Sequence, residues 1–214
     1  MTTVDLAPRS ATQDAPQQHL LVWDLPNIDA TLGDLLGHRP DRSSRPDLRA
    51  LADWLCTQAA AGARIDAGVF LNVTTDGTER LLPFVATLRQ FGFAVFAKPK
   101  LQPGDDVDDA IVAHIRSAVA DGLTHLWLGS HDAAAFEPLA AELADAGVAV
   151  TMLGFAEYAA WAHRQPAVAF HDLGDIPGVL PDGVPRTRLD DLPPEGVWLP
   201  ATTELQPRPL AQAA

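Results

Sequence analysis

Three aspartates stand where an apolar segment of the sequence gives way to polar residues. Asp24 ends the apolar run 20–23, Asp108 opens a helical segment after a later apolar run, and Asp132 follows the apolar run 123–128. The carboxyl ends of parallel strands meet at one edge of a sheet, where ligands bind in such folds. Clustered carboxylates repel each other unless a cation lies among them, and Mg²⁺ or Mn²⁺ takes oxygen ligands of this type. The spacing therefore predicts a metal site that can ionise a water molecule and stabilise charge on an attacked phosphate.

Each aspartate also has a purely structural interpretation. Aspartates that precede helices often act as N-caps, as Asp132 would for a helix over 133–146 and Asp106 for a helix over 107–120. Asp24 lacks this alternative, because no helix is predicted directly after it. Three acids at corresponding strand ends favour a functional site over three independent caps.

The elements that must position these acids follow from hydrophobic periodicity. Apolar runs predict strands over 19–23, 65–73, 93–97, 123–128 and 148–153, and helical spacing predicts helices over 46–61, 78–91, 107–120, 133–146 and 156–163. Residues 25–46 are interpreted as a loop with a short helix at 29–36. Because the strands are apolar throughout and alternate with helices, they predict an α/β fold with a five-stranded, mainly parallel sheet in a three-layer sandwich.

The two ends of the chain differ in character from this α/β domain, which is predicted over 19–164. Residues 1–18 are expected to be a disordered lead-in, and residues 206–214 a disordered tail. Prolines interrupt the segment 165–205, which is expected to pack on the domain as an extension, with a short edge strand near Phe170. Its expected apolar anchors are Ile176, Val179, Leu180, Leu189, Leu192 and Trp198.

Charge restricts the classes of partner. The formal net charge of −13 argues against a strong non-specific nucleic-acid binder, but not against an enzyme with a local basic patch. Arg39, Arg42 and Arg45 lie in the segment after the first acid, and Lys98 and Lys100 precede the second. These cations either flank the site and hold backbone phosphates or form an ordinary solvated surface.

Other classes are less compatible with the sequence. A single cysteine, Cys56, rules out an internal disulfide, and its apolar neighbours predict a buried core thiol. No apolar run approaches the roughly 18 residues of a membrane helix, and the first residues lack a signal-peptide pattern. A cytoplasmic protein is expected. Trp23 and Trp127 are expected to be core residues rather than stacking platforms.

The motifs around these acids resemble those of NYN domains, within the PIN-like nuclease superfamily. The strand that ends at Asp24, with Asn27 three residues on, is similar to the Asp-x-x-Asn opening of that family. Asp108 after Val107 resembles its second acidic motif, and the segment 130–139 resembles its third. The resemblance covers about residues 19–155.

The resemblance implies a sheet of order 3-2-1-4-5 and a metal-dependent ribonuclease or ribonuclease-like site. Asp24, Asp108 and Asp132 would bind Mg²⁺ or Mn²⁺ directly or through water, with one ion favoured over two. Asn27 would orient Asp24 or bind substrate, and Ser130 would brace Asp132 or a phosphate. RNA is the implied substrate or ligand.

The sequence also departs from the family pattern. Ala135 and His114 occupy positions that are usually or often acidic. His114 is interpreted as a hydrogen-bonded core histidine, and His131 faces either the pocket or solvent. The main hypothesis is an endoribonuclease that cuts single-stranded RNA. The alternative is a catalytically degenerate module that binds RNA, a nucleotide or a protein, and a scaffold role as a homodimer is a third hypothesis.

Overall fold

In the computed structural model, which describes residues 16–74, 77–186 and 193–198, a parallel sheet lies between two layers of helices. The strands are β1 (Gln18–Asp24), β2 (Arg64–Val73), β3 (Ala94–Pro99), β4 (His125–Gly129), β5 (Ala149–Gly154) and β6 (Val168–Asp172). The helices are α1 (Leu25–Leu36), α2 (Leu48–Gln58), α3 (Thr78–Gln90), α4 (Asp108–Ala120), α5 (Ala133–Asp145) and α6 (Ala160–Arg164). None of the helices in the described part of the chain is long and apolar enough to cross a membrane.

The sheet has the order β3-β2-β1-β4-β5-β6, and every neighbouring pair is parallel. This confirms the predicted α/β sandwich and the predicted order of its first five strands. The sixth strand is β6, in the region where a short edge strand was considered. The order reverses between β1 and β4, and their carboxyl ends carry Asp24 and Ser130. A topological switch of this kind is where α/β folds bind ligands.

Successive side chains of β1 point to opposite faces of the sheet, and helices cover both faces. Leu20 and Val22 pack with α4 and α5 on one face, whereas Leu21 and Trp23 pack with α1 and α2 on the other. All four side chains are buried, so the strand is apolar throughout although its side chains alternate between two cores. Trp23 and Trp127 are core residues, as predicted.

Two local predictions were wrong. The short helix expected at 29–36 begins instead at Leu25, because Pro26 suits the first turn of a helix, and Gly37 ends it in the left-handed conformation at φ 73°. Cys56 is exposed rather than buried, because the buried face of α2 is formed by Leu48, Leu51 and Leu55. Helical spacing alone did not distinguish the inner face from its border.

The segment after β6 packs on the α1–α2 face of the sheet. Ile176 and Val179 are buried there, as predicted, and the Val179 carbonyl accepts a hydrogen bond from the Asp47 N–H at 2.7 Å. Trp198 is 96% exposed, so it is not an anchor among the described residues. Leu189 and Leu192, like 1–15 and 199–214, lie outside the described residues.

Arg186 fastens this segment to the domain. Its guanidinium donates to both carboxylate oxygens of Asp172, at 2.9 and 2.7 Å, and its Nε donates to Glu157 at 2.9 Å. The Asp172 side chain is 3% exposed and the Arg186 side chain 15% exposed. Since loss of one partner would leave a buried charge uncompensated, this network fixes residues up to 186 against the end of β6.

Candidate functional site

Asp24 lies at the carboxyl end of β1 and is 2% exposed. Its Oδ1 accepts a hydrogen bond from the Asn27 N–H at 3.3 Å, and its Oδ2 accepts one from the Ser130 hydroxyl at 2.9 Å. Asp24 is therefore the N-cap of α1, which corrects the expectation that no helix follows it directly. The cap occupies Oδ1, and the bond from Ser130 links Asp24 to the end of β4.

The pKa of Asp24 is raised to about 7, first by burial and to a smaller extent by the negative charges of Asp108 and Asp132. The hydrogen bonds from Ser130 and Asn27 act in the opposite direction without cancelling the effect of burial. The site therefore holds a carboxyl group that the protein alone does not keep ionised below neutral pH.

Asp108 is the first residue of α4 and is partly buried. Its pKa is raised to about 6, by burial and then by the charges of Asp106, Asp132 and Asp109, with Lys98 acting against them. The structure thus brings Asp24, Asp108 and Asp132 near enough for their charges to act on each other. We call these three residues the acidic cluster.

Asp132 combines the two interpretations that the sequence left open. Its Oδ1 caps α5 by accepting from the N–H groups of Ala134 and Ala135 at 2.8 and 3.1 Å. Its own N–H donates to the Ser130 hydroxyl at 3.3 Å, so the same hydroxyl contacts both Asp24 and Asp132. By contrast, Asp106 does not cap α4, whose N-terminus has no side-chain cap.

The donor chemistry of the acidic cluster fits a hydrated hard cation. Within residues 16–74, 77–186 and 193–198, no three His, Cys, Asp or Glu side chains are grouped so as to hold an ion by themselves. Mg²⁺ keeps several of its waters and is commonly held by one or two carboxylates, so a complete protein cage is not required. The pKa values of Asp24 and Asp108 are raised although Lys98 lowers that of Asp108, so Lys98 does not compensate the effect of burial and of the neighbouring acids. Metal binding by these three residues stays a prediction.

His131 is buried next to the acidic cluster, and its hydrogen bonds hold the adjoining segments in place. Its Nε2 accepts a hydrogen bond from the Phe155 N–H at 2.8 Å, and its Nδ1 lies 3.2 Å from the Thr31 hydroxyl. Burial lowers the pKa of His131 to about 4, so the ring is neutral, with its proton on Nδ1. The His131 side chain thus faces neither solvent nor the acidic cluster.

The His131 main chain extends this support to Asn27. The N–H of His131 donates to Asn27 Oδ1 at 2.8 Å, and the Thr31 hydroxyl donates to the Asn27 carbonyl at 3.0 Å. Asn27 therefore joins α1 to the turn that carries Ser130 and Asp132. Its side-chain oxygen positions that turn, a role that the sequence did not indicate.

The five cations that were predicted to flank the site fall into two groups. Arg39, Arg42 and Lys100 line a cleft of about 1150 Å³ between α1, α2 and α3, which we call the basic cleft. Lys98 is separate from them, since its ammonium donates to the Asp106 carbonyl at 2.7 Å, beside Asp108. Arg45 also lines the basic cleft and pairs with Asp29 at 2.6 Å.

The two departures from the family pattern lie at different kinds of position. Ala135 is in the first turn of α5 and donates its N–H to Asp132. His114 is exposed and contacts the ring of Phe70 at 5.6 Å, which corrects its interpretation as a core histidine. The buried stripe of α4 runs through Ile111 and Ile115, beside His114 rather than through it.

The sequence analysis also missed Asn72, at the carboxyl end of β2. Its Nδ2 donates to the Asp105 carbonyl at 2.8 Å, and it lines the basic cleft. The rule that polar residues at strand ends form sites would have identified it, because the second strand was predicted to end at Val73. Asp105 itself accepts from the N–H groups of Leu101 and Gln102, so it holds a turn.

Comparisons with known proteins bear on the family and the fold of the chain. The sequence model of the NYN domain matches residues 19–174. A solved structure of a protein of unknown function from Vibrio parahaemolyticus matches with a TM-score of 0.59 at 20% identity, over 79% of this chain and 99% of that one. At this identity the likeness shows the fold alone. No curated protein matches the sequence.

Proposed function

The chain belongs to the NYN domain family, a nuclease-like family, and on this premise we propose that it is a metal-dependent ribonuclease. It would hydrolyse RNA phosphodiesters at the acidic cluster with Mg²⁺ or Mn²⁺, one ion rather than two. The observation that carries the proposal is the buried carboxyl of Asp24 at the end of β1, which the Ser130 hydroxyl joins to Asp132 at the end of the neighbouring strand β4. A divalent cation would compensate that charge. When bound, such an ion supplies activation of water and charge stabilisation at the phosphate.

The proposal gives each side chain a separate role. Asp24, Asp108 and Asp132 hold the hydrated ion. Ser130 orients Asp24 through its hydroxyl, and Asn27 fixes the turn that carries Asp132. Both contacts hold the carboxylates in place before substrate arrives, which lowers the reorganisation that catalysis requires.

The cations have the task of holding the substrate. Lys98, near Asp108, is placed to contact the phosphate that reacts, and Arg39, Arg42 and Lys100 hold phosphates further along the strand. Local positive charge is needed because the chain as a whole carries −13. A cytoplasmic location, suggested by the single cysteine, and a homodimer both stay predictions.

Asp132→Asn is expected to reduce RNA cleavage by at least about a hundredfold, because it removes one charge from the acidic cluster. Asparagine retains the N-cap of α5, so the fold is expected to be unchanged. The measurement is the cleavage of end-labelled single-stranded RNA by the purified protein with Mn²⁺ or Mg²⁺. Asp121→Asn, an equal charge change at the exposed C-cap of α4, is the control and should cleave within a few-fold of the wild type.

A second candidate function is a binding module without hydrolysis. It is favoured by Ala135 and His114, which leave the site with two fewer acids than the family pattern. In the same assay this function predicts RNA binding but no metal-dependent cleavage by the wild type. Cleavage that survives Asp132→Asn would instead show that the activity arises elsewhere.

A further inference from the structure

We propose that the basic cleft seats an unpaired stretch of polynucleotide that continues from the acidic cluster, with phosphates on its rim and a base against Phe84. This rests on the proposed function, because it names the part of the substrate that flanks the reacting phosphate. It adds to that function a subsite that accepts only unpaired bases.

The charge of the cleft is opposite to that of the chain. Five of the fifteen lysines and arginines line it, against two carboxylates, Asp29 and Asp47. Asp29 is paired with Arg45, and Asp47 caps α2 by accepting from two of its N–H groups. No ion pair of Arg39, Arg42 or Lys100 occurs within the described part of the chain, and all three are exposed. These three cations are therefore available to phosphates.

The floor of the cleft is apolar. Leu25, Pro26, Leu71, Leu81 and Phe84 contribute to it. Arg49 covers the other ring of the cleft, Phe91, at 5.7 Å from the ring centroid, so Phe84 is the aromatic side chain left for a base. An aromatic floor below a cationic rim is the arrangement by which proteins hold single strands without base-specific contacts.

The cleft begins next to the acidic cluster. Leu25 and Pro26 directly follow Asp24 in the chain and line the cleft. Asn72 also lines the cleft, and its Oδ1 is buried without a hydrogen-bond partner among the described residues. An unsatisfied buried acceptor is unfavourable, so a donor from a bound base or ribose would stabilise the complex.

Shape and size favour an unpaired strand over the other occupants. The cleft, at about 1150 Å³, exceeds the roughly 300–1,000 Å³ of small-molecule pockets. In a duplex the base faces are stacked inside, so it could use the rim but not Phe84. An acidic peptide would complement the positive charge of the rim. It would not, however, account for the position of the cleft beside the acidic cluster.

The test measures binding of fluorescein-labelled oligouridylate to the full chain in EDTA, by fluorescence anisotropy at several salt concentrations. Oligodeoxythymidylate separates RNA from DNA, and a fully paired RNA hairpin and polyglutamate test the other occupants. The variants are Arg39→Ala with Arg42→Ala, and Phe84→Leu, which keeps an apolar side chain in the core. Arg89→Ala, on α3 but outside the cleft, is the matched control.

The double arginine variant is expected to bind oligouridylate about tenfold more weakly or worse, with a salt slope reduced by about 0.7 for each lost contact. Phe84→Leu is expected to bind about tenfold more weakly with an unchanged salt slope, because stacking releases no counterions. Arg89→Ala should match the wild type. Tighter binding of oligouridylate than of the hairpin supports the proposal.

Several results would overturn the subsite. The first is that both variants and the control bind oligouridylate with the same affinity. The second is that the hairpin binds as tightly as oligouridylate. The others are that only polyglutamate binds or that no oligonucleotide binds. If both variants cleave RNA with an unchanged KM, the proposed subsite is wrong and the proposed function is unaffected. Cleft-dependent binding without metal-dependent cleavage would support the subsite and contradict the proposed hydrolysis.

Discussion

Asp24→Asn is expected to make the metal-free protein more stable above about pH 7 while it reduces RNA cleavage by about a thousandfold. The carboxyl of Asp24 is buried, and its pKa is raised from 3.8 to about 7. A shift of this size corresponds to at most about 4 kcal/mol of destabilisation once the group ionises. Asparagine carries no charge and retains an oxygen for Asn27 or Ser130, so the variant avoids most of that penalty.

The sign of the pH dependence follows from proton uptake. Between about pH 4 and pH 7 the folded protein holds the Asp24 proton more tightly than the unfolded chain does. This contribution of Asp24 to the free energy of unfolding is therefore present at low pH and is lost as the pH rises to about 7. The Asp24→Asn variant lacks this group, so the difference in Tm between variant and wild type should grow over the same range.

Thermal unfolding in EDTA at pH values from about 5 to 8, combined with the RNA cleavage assay, measures both effects. Asp121→Asn is the control, since that residue is exposed at the C-terminal end of α4 and the variant should show neither effect. A variant that is less stable than the wild type at pH 8, or that still cleaves RNA at the wild-type rate, would contradict the assignment of Asp24 as a carboxylate held for a cation.

Gly154→Ala is expected to destabilise the protein by about 3 kcal/mol and to lower the affinity of the acidic cluster for Mn²⁺. A Cβ at position 154 would overlap with Nε2 of His131, which is held by the Phe155 N–H. The ring cannot yield without losing this bond or its contact with Thr31. Since the His131 N–H supports Asn27, the displacement would reach the turn that carries Ser130 and Asp132.

The measurement for this variant is urea unfolding, together with Mn²⁺ affinity of the folded protein. Gly104→Ala is the matched control, because a Cβ there meets no atom within 4 Å and the backbone does not have a positive φ. Wild-type stability and wild-type Mn²⁺ affinity in Gly154→Ala would show that His131 does not position the site.

The sheet could be predicted from the sequence because its determinants are local. Apolar runs mark the first five strands, and the motif resemblance supplies their order. The first turn of helix α1 was missed, since Pro26 is typical of loops but in fact lies in the first turn of the helix, ahead of the part predicted at 29–36. The role of Asp24 as a cap was missed for the same reason.

Contacts between residues that are far apart in the chain could not be predicted from the sequence. His131 meets Thr31 across 100 positions of the chain, and nothing in either neighbourhood indicates the partner. Arg39 and Arg42 were correctly singled out as cations, but only the packing of α1 to α3 brings them to the same cleft as Lys100. The interpretations of Cys56 and His114 failed because helical spacing defines a stripe more reliably than its borders.

The central claim is that the acidic cluster binds a divalent cation, and calorimetric titration of the pure protein with Mn²⁺ near pH 8 tests it most directly. The wild type is expected to bind one ion, Asp108→Asn to bind it at least about tenfold more weakly, and Asp121→Asn, at the exposed C-cap of α4, to resemble the wild type. If the wild type shows no saturable binding, or if Asp108→Asn binds Mn²⁺ as the wild type does, the assignment of the acidic cluster as a metal site is wrong.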